Sequence, residues 1–177
     1  MKTNFNLSYD KEINRKKFHL LSLFIPIFYI LYPDNILKFV ILLSLTIIII
    51  DFLRIKKLYE ISYLSNVIRK YETNKPMTAT YLILTSLFII YFFDKNLAIY
   101  ALFLASISDS FAALYGIKYG KIKILNNKTV EGTFAFIISG FIITFISYFI
   151  IDSTSSLLIP LIATIFTGLI EHLSPGR

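Results

Sequence analysis

The chain has 177 residues, 56% of them hydrophobic and 16% charged, with a formal net charge of +7 and no cysteine. A charged share well below the rough quarter found in soluble domains excludes an ordinary soluble fold and points to lipid, while the missing thiols exclude disulfides, thiolate metal sites and cysteine nucleophiles. Two histidines argue against structural zinc, and the excess of Lys and Arg in so apolar a chain reads as attraction to an anionic lipid surface rather than to nucleic acid.

Residues 1–17 are polar and carry both signs, with no small-residue cleavage site, so no removable signal peptide is expected. Apolar runs follow at 18–32, 36–53, 77–93, 97–116, 133–151 and 157–170. None alternates apolar and polar residues as a barrel strand would, and an open sheet edge cannot sit in hydrocarbon. The expectation is an all-α polytopic transmembrane helical bundle of about six spans forming a single membrane domain over 1–177. Several runs fall short of the roughly 20 residues needed to span, and flanking Lys, Tyr and Asn would complete them by snorkelling. No linker, charge block or repeat divides the chain.

The connections at 33–35, 94–96 and 152–156 are short and nearly free of positive charge, which pairs the runs into three helical hairpins. Of the 18 Lys and Arg, 16 fall on the opposite side, leaving only Lys38 and Lys95 elsewhere. The positive-inside rule then puts both termini in the cytoplasm of a multi-pass protein of the cytoplasmic membrane. In the long loop 54–75, Ile55, Leu58, Ile61, Leu64 and Ile68 recur at three and four residues, the pattern of an amphipathic helix on the membrane surface.

Within the fourth run, Asp109 would lie about 10 Å below the cytoplasmic end near Gly116, at 1.5 Å per residue. A carboxylate at that depth is costly, and so is a functional candidate with a partner or metal nearby; the alternative is a neutral or paired acid that locks helix packing. Ser106, Ser108, Ser110, Ala112 and Ala113 around it allow close helix approach. Gly116 and Gly120 bracket a lysine-rich turn with Lys118, Lys121 and Lys123, able to present amides and ammonium groups to phosphate, although Gly-x-x-x-Gly equally marks helix packing. The segment Lys128-Thr129-Val130-Glu131-Gly132-Thr133 opens the fifth span, where unpaired amides favour an anion and Glu131 could hold Mg²⁺ or complement the helix dipole. Arg15, Lys16 and His19 enter the first span, Arg69 and Glu72 precede the third as an i, i+3 pair, and Glu171 ends the sixth. A topology drawn from Lys and Arg alone thus brings Arg15, His19, Glu72, Asp109, Glu131 and Glu171 to one side, as a single polar site facing the cytoplasm rather than a pathway through the membrane.

In their order, Arg15-Lys16 with His19, Arg69 with Glu72, the stretch from Asp109 to Gly116, Gly120-Lys121, and Lys128 to Thr133 resemble the motifs of the CTP-dependent polyprenol kinase family, which includes dolichol kinase, phytol kinase and the CTP-type diacylglycerol kinase. The segment around Asp109 and Glu131 is also similar to phosphatidate cytidylyltransferase. The resemblance runs from Glu12 to Glu171 and implies a membrane lipid kinase that moves a phosphoryl group from CTP to the hydroxyl of a polyprenol, phytol or diacylglycerol, with Mg²⁺ or another divalent cation. It implies catalytic roles for Asp109, Lys128 and Glu131, with Asp109 and Glu131 at the metal. Phosphate binding falls to Arg15, Lys16, Gly116, Gly120, Lys121, Thr129 and Gly132, and supporting roles to His19, Arg69, Glu72 and Glu171. The readings that compete are a cytidylyltransferase making CDP-diacylglycerol and a non-catalytic membrane protein or small transporter. Two departures stand out: Met77-Thr78-Ala79 where the family has a small Gly, and an end at Arg177 where the family continues into an Asp-Asn motif and another apolar segment. The second leads us to expect either a truncated C-terminus or altered activity. Neither the particular lipid nor the oligomeric state is readable from the residues.

Overall fold

A computed structural model describes residues 13–58, 72–123, 128–151 and 157–173, with side chains as far as Ile170. Over these residues the chain is helical, without strands; Lys123 and Thr129 form an isolated antiparallel bridge. We label the helices α1 (13–31), α2 (Ile36–Ile55), α3 (Thr78–Phe92), α4 (Lys95–Tyr119), α5 (Val130–Ile151) and α6 (Leu158–Leu173). The segments Pro33–Ile55, Lys95–Tyr119 and Val130–Ile151 are long and apolar enough to cross a membrane by length and composition, and Thr78–Phe92 and Leu158–Ile170 are shorter apolar helices. Most of the amphipathic segment expected over 54–75, together with Arg69 and the connection 152–156, lies outside the described residues.

Each helix breaks where its sequence demands it. Pro26 cannot donate to the carbonyl of Ser22 and its ring crowds that group, and α1 tightens into a 3-10 turn over Leu21–Leu23 before resuming at Phe24–Leu31. The chain reverses at a second 3-10 turn, Pro33–Asn35. Helix α2 closes with Leu58 N–H on the Leu53 carbonyl at 3.0 Å and Lys57 N–H on the Arg54 carbonyl at 2.9 Å. This is the Schellman arrangement, with Lys57 left-handed at φ 54°.

Helix α4 sits among α1, α3 and α5, while α2 packs on α3 and α6 on α5. At one end of the bundle an apolar cluster joins Ile25 and Tyr29 of α1, Ile36 and Val40 of α2, Ile90 of α3 and Ile99 of α4. The opposite end, formed by the start of α1, the end of α2, the start of α3, the end of α4 and the start of α5, holds most of the described charged residues, with Asp34, Lys38, Asp94 and Lys95 at the apolar end. Large apolar side chains such as Phe24, Ile49, Phe88, Phe134 and Phe166 point outward, as expected where the surroundings are hydrocarbon. Gly140 lets three helices converge: a Cβ there would collide with Thr164 and stand 3.0 Å from Leu104 Cδ2. Buried Ser44, Ser86 and Thr164 return their hydroxyls to carbonyls four residues back, so each leaves no polar group open in the apolar interior.

Candidate active site

The site begins with an irregularity in α4. Over Leu104–Ser108 the helix widens into a π-turn, which exposes carbonyls that a regular helix would use internally. Lys16, His19 and Ser22 lie on one face of α1 at spacings of three and meet this turn. Ser22 Oγ lies 2.6 Å from Ser106 Oγ, and His19 Nε2 lies 2.8 Å from the Ala105 carbonyl oxygen and 3.3 Å from Asp109 Oδ2. Lys16 donates to the Asp109 carboxylate and, at 3.1 Å, to its main-chain carbonyl. The Lys16 side chain is 2% exposed and that of Asp109 35%. The ammonium is therefore the buried partner, and the carboxylate keeps an open side through which a ligand can reach it. Ser108 Oγ is fully buried and has no hydrogen-bond partner among the described residues.

Beside this pair a cavity of about 560 Å³ opens between α1, α2 and α3. Its polar end carries Arg15, His19, Ser22, Glu72 and Thr78, and its walls are apolar, among them Phe39, Leu43, Ile47, Leu82 and Ile83. Glu72 shapes that end by capping α3, its Oε1 accepting from the Thr78 N–H at 3.2 Å and from the Thr78 hydroxyl.

A residue that the sequence reading left unassigned, Asp51, anchors the same corner. It is 3% exposed. Its Oδ1 accepts from Arg54 Nε at 3.0 Å and Nη2 at 2.8 Å, and its Oδ2 from the Met77 N–H at 2.8 Å and the Thr80 hydroxyl. Arg54 spends its other donors on the carbonyls of Glu72 at 2.9 Å, Thr73 at 3.2 Å and Lys75 at 2.5 Å. The pair clamps the start of α3 to the end of α2. An acid three residues before an arginine at the end of an apolar run was the available signal, and its remaining partners lie 26 and 29 residues onward.

About 10 Å along α4 from Asp109, at 1.5 Å per residue, the glycines of the lysine-rich turn meet α5. A Cβ on Gly116 would stand 2.8 Å from Thr129 Oγ1, and one on Gly132 3.0 Å from the Ala112 carbonyl oxygen. On Gly120 it would run into the Gly116 carbonyl and Thr129. Thr129 itself caps α5, accepting from the Gly132 N–H at 3.2 Å. Helix packing thus accounts for these glycines directly, and it brings Lys121, Lys128 and Glu131 around one turn. Glu131 accepts from the Ile122 N–H at 3.2 Å, which ties the turn to the start of α5.

Of the expected residues, the structure joins Lys16, His19 and Asp109 in one cluster, sets Arg15 and Glu72 on the cavity beside it, and gathers Gly116, Gly120, Thr129, Glu131 and Gly132 in a second group where the end of α4 meets the start of α5. Arg69 and the side chain of Glu171 lie outside the described residues. Lys16, expected to neutralise phosphate, is turned inward onto Asp109. Among the described residues no three His, Asp or Glu side chains assemble a metal site. The Asp109 carboxylate, engaged by an ammonium, does not fit a divalent cation unless Lys16 moves. The partly exposed Glu131 carboxylate accepts from the Ile122 N–H and keeps lone pairs for a cation that arrives with phosphate oxygens, as Mg²⁺ commonly does.

Compared with known proteins, the chain is 30% identical over 175 residues to "Uncharacterized protein RP860" of Rickettsia prowazekii, covering 94% of this chain and 85% of that one. It is 32% identical over 148 residues to "CTP-dependent diacylglycerol kinase 1" of Saccharomyces cerevisiae, covering 77% of this chain and 50% of that one. The chain therefore spans about half the length of the yeast kinase. No protein-family model and no solved structure matches it.

Proposed function

The chain belongs to the family of the Rickettsia prowazekii protein RP860, and from that premise and the geometry above we propose that it is a membrane lipid kinase transferring the γ-phosphoryl group of CTP to a lipid hydroxyl. The distant likeness to a CTP-dependent diacylglycerol kinase supports the nucleotide and the reaction class. The observation that carries the reading is Asp109. It is a partly exposed carboxylate inside an apolar helix, held by Lys16 and His19 next to a cavity with apolar walls and a polar end.

Phosphoryl transfer needs positioning and charge stabilisation more than covalent help from the protein. The lipid oxygen forms a bond to the γ-phosphorus as the bond from that phosphorus to the β-phosphate oxygen breaks, and CDP leaves. Asp109 accepts the hydrogen bond of the lipid hydroxyl and takes its proton as the new bond forms. His19 and Lys16 fix the carboxylate in place, so Lys16 acts as a positioning residue. Lys121 and Lys128, on the turn formed by the glycine packing, meet the triphosphate together with Arg15 at the cavity edge. A Mg²⁺ bound to Glu131 and the nucleotide would supply neutralisation of the phosphate charge. The reading puts both termini and this end of the bundle on the cytoplasmic side, where CTP is available.

The test uses membranes containing the full chain, CTP labelled in the γ-position and a mixture of prenols and diacylglycerol. Label should move to lipid, and Asp109→Asn should slow transfer about 100-fold or more. No transfer, or transfer by Asp109→Asn at the wild-type rate, would overturn the mechanism. Labelled lipid from α-labelled CTP would instead indicate a cytidylyltransferase.

A further inference from the structure

Two of the most heavily bonded side chains at the charged end form no part of the cavity wall. Ile47 and Ile50 of α2 line the cavity, whereas their neighbours Asp51 and Arg54 stand behind it. Both spend their hydrogen bonds on the segment that makes the cavity's polar corner. Residues 73–77 are neither helix nor strand, and Pro76 has no N–H to give. Such a turn leaves main-chain groups unpaired beside an apolar interior, where each is costly. Arg54 takes the carbonyls of Glu72, Thr73 and Lys75, and Asp51 takes the Met77 N–H and the Thr80 hydroxyl. Anchored along its length, the segment brings Glu72, Met77, Thr78 and Ala79 to the cavity, with the buried Glu72 carboxylate fixed on Thr78.

Stability alone does not account for a buried ion pair, because apolar side chains of similar volume commonly serve as well. What the ionic pair supplies here is direction. The guanidinium fork draws three carbonyls toward α2, while the Glu72 side chain goes to the cavity that Arg15 and His19 share. We propose that Asp51 and Arg54 are positioning residues for the reaction: they fix segment 72–80 so that Glu72 and Thr78 hold the acceptor hydroxyl beside His19, without touching the acceptor themselves. The inference rests on the lipid-kinase reading for the fate of that hydroxyl, and a misplacement of about 1 Å at such a site can cost up to roughly 100-fold in rate.

The experiment uses the full chain in nanodiscs with prenols and diacylglycerol, each also in a form carrying a photoactivatable group next to its hydroxyl. Arg54→Lys should lower kcat/KM for the acceptor about tenfold and leave KM for CTP within about twofold. Thr80→Val, nearly isosteric and missing one hydrogen bond to Asp51, should lower it about threefold. Val40→Ala opens a hole in the apolar cluster at the other end of α2 and serves as a control for lost stability; it should leave both values as in the wild type. Without CTP, crosslinking of either lipid to residues 72–80 should fall in Arg54→Lys in the same proportion as kcat/KM. Unchanged acceptor kinetics in folded Arg54→Lys and Thr80→Val, an equal loss in Val40→Ala, or an equal rise in KM for CTP would each overturn the proposal. Crosslinking that depends on Arg54 in a protein that transfers no phosphoryl group would support the positioning role while rejecting the kinase. Transfer that is indifferent to Arg54 would do the reverse, and neither crosslink nor transfer in the wild type would reject both.

Discussion

Lys16 grips Asp109 across 93 positions of sequence, donating to its carboxylate and to its main-chain carbonyl. The grip is asymmetric, because the ammonium is buried and the carboxylate is partly open. Removing one member of such a pair strands the other, and the cost is greatest when the stranded charge is the buried one.

Asp109→Ala is therefore expected to destabilise the protein by about 3 kcal/mol, and Lys16→Met by clearly less, since the acid left behind retains His19 and an open face. Thermal unfolding of both variants in one detergent measures the order. If Lys16→Met proves the more damaging, Lys16 is not the buried dependent of this pair.

The Asp51–Arg54 clamp makes a second expectation. Arg54 reaches three main-chain carbonyls and a carboxylate through a planar fork, which a lysine cannot imitate. Arg54→Lys should lower stability by about 1–2 kcal/mol through lost hydrogen bonds, and Asp51→Ala by about 3 kcal/mol through an uncompensated guanidinium. Limited proteolysis should show earlier cutting near residues 72–77 in both. Wild-type protection in Arg54→Lys would mean that the clamp is dispensable.

Gly120 and Gly132 differ in what a methyl group would meet. At Gly120 it strikes the Gly116 carbonyl and Thr129, while at Gly132 it comes within 3.0 Å of one carbonyl. Overpacking of this kind costs about 1–3 kcal/mol, so Gly120→Ala should lie at the upper end and Gly132→Ala at the lower. Comparison of their unfolding midpoints decides the order, and equal values would show that the turn yields freely.

Lys57 offers a gain. A left-handed backbone is unfavourable for any residue with a Cβ, and glycine at this helix-ending position removes the penalty. Lys57→Gly should stabilise the fold by about 1 kcal/mol despite the added freedom of the unfolded chain. A fall in the unfolding midpoint would show that the lysine side chain makes a compensating contact.

Much of this end of the molecule was readable from residue order. Asp109 in an apolar run announces the need for a partner, and the apolar runs mark the helices to within a few residues: 97–116 against Lys95–Tyr119, and 36–53 against Ile36–Ile55. What the sequence could not disclose was which cation would answer Asp109. Arg15, Lys16 and Lys17 are adjacent, and only the rotation of α1 decides that Lys16 turns inward while Arg15 faces the cavity and Lys17 is exposed. Spacing pairs Glu72 with Arg69, which lies outside the described residues; the capping of α3 by the Glu72 carboxylate through Thr78 was not legible, because an unpaired helix N-terminus attracts an acid as well as a neighbouring arginine does. The pairing of Asp51 with Arg54 was legible from their spacing, but its hold on Met77 and Thr80 was not, since those partners come from the start of a different helix. The glycines were ambiguous between phosphate approach and helix packing, and Cβ positions distinguish those two only once the neighbouring helix is present.

The π-turn of α4 has a consequence for how this architecture tolerates sequence change. A regular helix rotates by about 100° per residue, so each side chain beyond an added or lost residue faces a new direction. The widened turn absorbs such a residue locally. The half of α4 before it stays in register with the apolar cluster of α1, α2 and α3, while the half after it presents Asp109 to Lys16 and its glycines to α5. The two halves behave like shafts joined by a coupling that permits a phase difference. Deleting one residue within Leu104–Ser108 would remove that difference and carry Asp109 out of reach of Lys16 with no charged group altered.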